Sequence, residues 1–543
     1  QIISTKTKQI VDQWVTTDVP YNPSGLIEGE DYILHELEAP KGYVVAKDVP
    51  FTTTNGMNQK IIMSDPKMEI SKVDANDKKA VVGAKLQVIS KATDEVVDEW
   101  ITTDTAYNPS GLVVENEYIL REVEAPKGYI VAKDVPFTTT SEPIQKITMS
   151  DPQLEVNKVD SLNGKAISGA TLQIISTKTK QIVDQWVTTE EIYNPSGLIE
   201  GEDYILHELE APKGYIVAKD IPFTTTNEPV QKIVMSDPKM EISKVDANDK
   251  KAVVGAKLQV ISKATDEVVD EWITTDTAYN PSGLVVENEY ILREVEAPKG
   301  YIVAKDVPFT TTSEPIQKIT MSDPQLEVNK VDSLNGKAIS GATLQIISTK
   351  TKQIVDQWVT TDVPYNPSGL IEGEDYILRE MKAPVGFFKA DDMTFNVTDK
   401  ANQKITMKDA PILKDAHIKK VDSLDHENVL AKAEFTLFED KDCTKAITTV
   451  KSGKDGLATF KDLRYGKYYA KETKAPAGYI LSKEIVEVVI DDKTMNDYII
   501  IYENTMLEDD VVITGDTTNQ LLLFGFVVVS GSVFVISKKR KKA

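Results

Sequence analysis

The sequence predicts an all-β chain, a tandem array of β-sandwich domains. Three observations carry this reading. The chain repeats with a period of 86 residues, each period holds short alternating segments divided by turn residues, and no segment shows a helical period. QIISTKTKQIVDQW occurs at Gln1, Gln173 and Gln345, with the related QVISKATDEVVDEW halfway between, at Gln87 and Gln259. Such a period is too long for a solenoid repeat and suits a small independent domain. The repeats fall at 1–66 (truncated), 67–152, 153–238, 239–324, 325–410 and 411–508 (divergent), with 509–543 a separate terminal segment.

Within the second repeat, MEISKVD (68–74), AKLQVIS (84–90), EVVDEWITT (95–103), SGLVV (110–114), EYILREV (117–123), DVPFTTT (134–140) and IQKITMSD (144–151) each read as a strand. Turn residues separate them, notably Asn76-Asp77, Asn108-Pro109-Ser110-Gly111 and Pro126-Lys127-Gly128. Seven such strands without a helix make a sandwich. Almost no linker joins the repeats, which predicts a semi-rigid rod. The chain starts inside a repeat, as expected of a fragment of a longer precursor.

Composition excludes several function classes. At 543 residues several cores are expected, and a formal charge of −23 argues against nucleic-acid binding. One cysteine, Cys443, permits no internal disulfide and no Cys-rich metal site. His35, His207, His417 and His426 lack metal spacing or triad context, and phosphate-binding glycine motifs are absent. Neither a metal nor a cofactor is expected. The Asp74-Ala75-Asn76-Asp77 loop lacks EF-hand spacing and reads as a solvated turn. The Asn-Pro-Ser-Gly loops read as turns rather than recognition tips.

Strand parity exposes an anomaly. Glu122 shares a face with Tyr118 and Leu120, Lys72 with Met68 and Ile70, and Asp151 with Ile147 and Met149. Three polar groups per repeat therefore point inward. Buried unpaired, each would cost several kcal/mol, so they should meet. Parity alone leaves two readings open, a buried ion cluster and a covalent bond.

Lys-Val-Asp in the first strand, Tyr-x-Leu-x-Glu-x-x-Ala-Pro-x-Gly-Tyr in the fifth, and Asp or Asn closing the last resemble the collagen-binding-protein B-type (CnaB-like) domains of Gram-positive surface proteins. The resemblance covers about 1–508 and implies a prealbumin-like or Ig-like sandwich. It also implies a spontaneous Lys–Asp/Asn isopeptide bond, with a glutamate as catalyst. Carried over, the linked pairs are Lys72 with Asp151, Lys158 with Asp237, Lys244 with Asp323, Lys330 with Asp409, and Lys420 with Asn504. The glutamates are Glu122, Glu208, Glu294, Glu380 and Glu472. The first repeat keeps Glu36 and Asp65 but has no lysine strand, so it should not close. In the fifth, Phe387 replaces the final Tyr, which reads as a conservative swap.

Past Asp510 the composition changes. Leu521 to Ser537 carries no charge and is at the short limit for a transmembrane anchor helix, and Lys538-Lys539-Arg540-Lys541-Lys542 follows as a basic stop. With Thr514-Gly515 upstream, this order resembles a sortase-cut cell-wall sorting signal, although Val511-Val512 stands where Leu-Pro is usual. A simple tail anchor is the alternative. The resemblance implies an extracellular protein covalently attached to the Gram-positive cell wall. Sortase and peptidoglycan would be its partners, and host matrix or a cell-surface ligand a further one. The membrane span would be transient, before sorting. The expected function is a braced stalk presenting an N-terminal adhesive region. Repeats that bind matrix themselves and a sortase-assembled pilus subunit are the alternatives. No enzyme activity on an external substrate is expected, since each glutamate would act once on its own chain.

Overall fold

The computed structural model describes residues 1–495 and 498–507, and these form strands and no helix. The chain divides into two compact bodies, one of residues 1–245, 252–295 and 306–321, the other of residues 246–251, 296–305 and 322 onward. None of the described residues forms a helix long and apolar enough to cross a membrane. The expected Thr514-Gly515 sorting site, the 521–537 span and the basic tail lie outside the described residues.

In the first body, the second repeat shows how the sandwich is made. Its lysine strand, Lys67–Asp74, runs parallel to its last strand, Ile144–Asp151, so the two ends of the repeat lie side by side. The other layer is antiparallel, in the order Val96–Ile101, Lys85–Ser90, Glu117–Glu124, Val135–Thr138. Met68, Ile70, Leu86, Val88, Trp100, Leu112, Tyr118, Leu120 and Met149 fill the space between the layers. Alternation makes this possible, because every second side chain of each strand faces the other layer. The third repeat pairs its first and last strands in the same parallel register.

Ser110–Val114 departs from expectation and is not a strand. Asp98 Oδ2 accepts hydrogen bonds from Ser110 N (2.8 Å) and from the Tyr107 hydroxyl (3.2 Å). Pro109 has no donor, and Gly111 sits at φ +76°, so the chain turns where a ladder would need it extended. Val113 instead makes a single parallel bridge to Val45 of the first repeat.

That bridge marks a joint that recurs. Val45 N donates to Leu112 O (2.7 Å) and Val114 N to Val45 O (3.0 Å). The same parallel bridge joins Val131 to Ile199 and Val217 to Val285. The residue just before each bridge is a plug. Val44 packs in the second repeat's core, and Ile130, fully buried, packs in the third's. The Asn-Pro-Ser-Gly loop closes each joint, as Gly42 N donates to Ser110 Oγ (3.2 Å) and Gly128 N to Ser196 Oγ (3.0 Å).

In the second body, the fifth repeat has the same two layers. Ile302 plugs its core, and Val303 bridges Ile371. The sixth repeat widens the smaller layer to three strands, Leu457–Leu463, Lys414–Asp422 and Ile499–Asn504. At the plug position of the fifth repeat stands Phe388, 58% exposed, and no bridge forms at Lys389 among the described residues.

Candidate functional site

Each repeat from the second to the sixth buries a lysine, a glutamate and an aspartate or asparagine. In the second, Lys72 lies opposite Met149 in the parallel pair, and Glu122, paired with Leu86 on the neighbouring strand of the other layer, reaches Lys72 across the gap between layers. Lys72 Nζ is 2.9 Å from Glu122 Oε2 and in contact with Asp151 Oδ1, and none of the three side chains touches solvent. Glu122 Oε2 also accepts Ala132 N at 2.6 Å. The third repeat places Lys158 2.8 Å from Glu208 and against Asp237. The fifth places Lys330 3.2 Å from Glu380 and against Asp409. In the fourth, Lys244 lies 2.9 Å from Glu294, and Asp323 is fully buried at the end of its strand.

Burial sets the charge states. It pushes the Asp151 and Asp237 carboxyls up to about 8, with the neighbouring lysine opposing and the glutamate adding to the rise. Asp409 rises only to about 6, again through burial first. Near neutral pH, Asp151 and Asp237 therefore stand as neutral acids, the form an amine can attack.

The sixth repeat differs in chemistry. Lys420 is fully buried, donates to Tyr502 O at 3.1 Å, and lies over the Tyr502 ring at 4.9 Å. Burial lowers its amine to about 8, against the pull of Glu472. Asn504 Nδ2 donates to both oxygens of Glu472 at 3.0 Å, so the nitrogen that would leave rests on the group able to protonate it. In the first repeat, Glu36 and Asp65 hydrogen-bond each other and are both raised by burial.

A protein-family model, the SpaA prealbumin-like fold domain, matches residues 66–153, 152–239, 238–325, 324–411 and 414–505. The chain belongs to this family. Among solved structures, the Bacillus anthracis TIE protein is similar at 20% identity, covering 64% of this chain and 73% of that one, with a TM-score of 0.28. BcpA, the major pilin subunit of Bacillus cereus, is similar at 15% identity over 49% of this chain and 99% of that one, with a TM-score of 0.20. The shaft pilin SpaA from Lactobacillus rhamnosus GG is similar at 14% identity over 34% and 96%, with a TM-score of 0.16. No curated protein matches the chain.

One functional residue of these SpaA-type repeats escapes the sequence reading. Asp74, expected in a solvated turn, is buried. Its Oδ1 holds the turn through Asn76 N (2.6 Å), and its Oδ2 accepts the Tyr129 hydroxyl (2.9 Å) and Gln153 Nε2 of the next repeat (3.1 Å). Both oxygens are thus engaged by donors, the arrangement of a tie between repeats. Asp160 repeats the tie with Tyr215 and with Lys239 Nζ at 2.7 Å. Asp sits on the same strand face as the buried lysine, two residues on, and that parity is the signal that could have found it.

Phe387 is therefore not a conservative swap, because it has no hydroxyl to offer Asp332. Arg464 of the sixth repeat pairs with Asp332 in its place and holds that carboxyl below the usual range. Arg464→Ala should loosen this joint by about 1–3 kcal/mol, the usual penalty for an unsatisfied buried acceptor. Faster amide exchange at Ile412, which donates to Gly386 O at 2.8 Å, would report it. Adding Phe387→Tyr should restore part of the protection. Unchanged exchange in Arg464→Ala would contradict the assignment.

Proposed function

We propose that the repeats form the load-bearing stalk of a Gram-positive surface protein, each repeat from the second to the sixth braced by one intramolecular isopeptide bond. The observation that supports this most is the dry Lys72–Glu122–Asp151 cluster, placed where the first and last strands of a repeat run side by side. A buried ion cluster alone would be costly there.

The chemistry balances within the cluster. The neutral Lys72 amine adds to the Asp151 carboxyl carbon, Glu122 takes the amine proton and returns it to the departing hydroxyl, and water leaves as the amide forms. In the sixth repeat the same sequence on Asn504 releases ammonia. Attachment to peptidoglycan through Thr514, presentation of an N-terminal adhesive region and extracellular location complete the reading. The Asn-Pro-Ser-Gly loops are occupied in joints, which favours a stalk over repeats that grip a ligand with those loops.

The pH dependence of bond formation tests the chemistry. Asn504 does not titrate, so the rate in the sixth repeat should follow neutral Lys420 and rise about tenfold from pH 6 to 7, below its value of about 8. In the second repeat the Asp151 carboxyl itself titrates, losing its proton as the pH rises through about 8, which opposes any gain at the amine, so the profile should be flatter. Time-resolved peptide mass spectrometry of newly made chain reads both. Parallel profiles would count against the assigned roles.

A further inference from the structure

The glutamate that would catalyse cross-linking in one repeat is held by a peptide group whose other end belongs to the next repeat's joint. In the second repeat, Ala132 N donates to Glu122 Oε2 at 2.6 Å. The carbonyl of that same peptide, Val131 O, accepts Glu200 N of the third repeat at 3.0 Å, while Val131 N donates to Leu198 O at 2.8 Å. A peptide group is planar and rigid, so fixing the carbonyl fixes the direction of the N–H. The chain Glu200 N–H to Val131 C=O to Ala132 N–H to Glu122 also polarises in one sense, which strengthens each bond.

The arrangement recurs. Ala218 N donates to Glu208 Oε2 at 2.6 Å, while Val217 O accepts Val286 N of the fourth repeat at 3.1 Å. The fifth repeat supplies an internal contrast, for Ala390 N holds Glu380 at 2.7 Å with no bridge at Lys389 among the described residues.

We propose that docking of each following repeat orients the catalytic glutamate of the repeat before it, through this single shared peptide plane. Glu200 is then a positioning residue for the second repeat's bond, acting by its backbone N–H from another repeat. Cross-linking of the second and third repeats would wait on the folding of their C-terminal neighbours, so a repeat locks only once it is seated in the array. The inference rests on the isopeptide reading above.

Glu200→Pro tests it in the full chain. Residues 199–202 make a turn in which Glu202 N donates to Ile199 O at 3.3 Å and Gly201 has φ +82°. Proline suits the position before such a glycine, so the turn is retained while the N–H to Val131 is lost. Glu200→Ala removes the carboxylate that accepts Lys133 N at 3.2 Å but keeps the N–H.

Newly translated chain, digested at intervals, gives the rate at which the peptides carrying Lys72 and Asp151 become joined. Glu200→Pro should slow this roughly five- to tenfold, the order of one hydrogen bond. Glu200→Ala should stay near the unmutated rate, and the Lys330–Asp409 rate should be the same in all three chains. An undiminished Lys72–Asp151 rate in Glu200→Pro overturns the proposal, whether or not joining of Lys158 to Asp237 shows the third repeat folded. Equal slowing in Glu200→Ala, or equal slowing of every repeat, overturns it too. Failure of the cross-link reading looks different, since no joined peptides would then form even in the unmutated chain.

Discussion

A chain carrying Glu122→Ala should retain one more water than the unmutated chain, and its second repeat should become extensible under force. Among the described residues Glu122 is the one carboxylate besides Asp151 in contact with Lys72, at 2.9 Å, so no neighbour there is positioned to carry the proton in its stead. By analogy with a disulfide closing a loop of similar size, losing the bond should cost about 4–5 kcal/mol through the unfolded state. The mechanical effect is larger. Tension entering on Lys67–Asp74 and leaving on Ile144–Asp151 passes through adjacent parallel strands. With the bond in place the residues between Lys72 and Asp151 cannot be drawn out. Without it they can, adding about 260 Å of contour length. Single-molecule extension should show one such step in Glu122→Ala and none from repeats two to six of the unmutated chain. An unmutated chain that yields steps of that length would contradict the brace.

Ile130→Ala should destabilise the third repeat and largely spare the second, to which Ile130 belongs in sequence. The side chain is fully buried among Leu154, Val156, Leu172, Leu198 and Leu206. Truncating a buried isoleucine leaves a cavity as well as losing transfer energy, about 2–4 kcal/mol together. Hydrogen exchange resolved by repeat should show the loss at Thr171–Ser176 and Asp203–Glu210, with Lys85–Ser90 little changed. Loss confined to the second repeat would mean that the plug does not act across the joint. Phe388, 58% exposed at the equivalent position, should tolerate truncation far better.

The inward placement of Lys72, Glu122 and Asp151 was legible because strand alternation is a strict period, and a polar residue in phase with Met68 or Leu120 has nowhere else to point. Their meeting depends on the parallel pairing of first and last strands, which no local pattern announces. Ser110–Val114 alternates like a strand yet forms none, since its neighbours in space belong to the preceding repeat. Asp74 shares the face of Lys72 and still passes for a solvated turn in sequence, because turn chemistry explains its neighbours Asn76 and Asp77 equally well. Phe387 matches tyrosine in size, and only the Asp332 partner shows that the hydroxyl mattered. Arg464 lies 132 residues from that partner, beyond the reach of any local reading.

The most direct test of the central claim is the intact mass of the unmutated chain. The account predicts a mass below that of the sequence by four waters, from Asp151, Asp237, Asp323 and Asp409, and one ammonia, from Asn504. The full theoretical mass would contradict it and leave only a set of buried ion clusters.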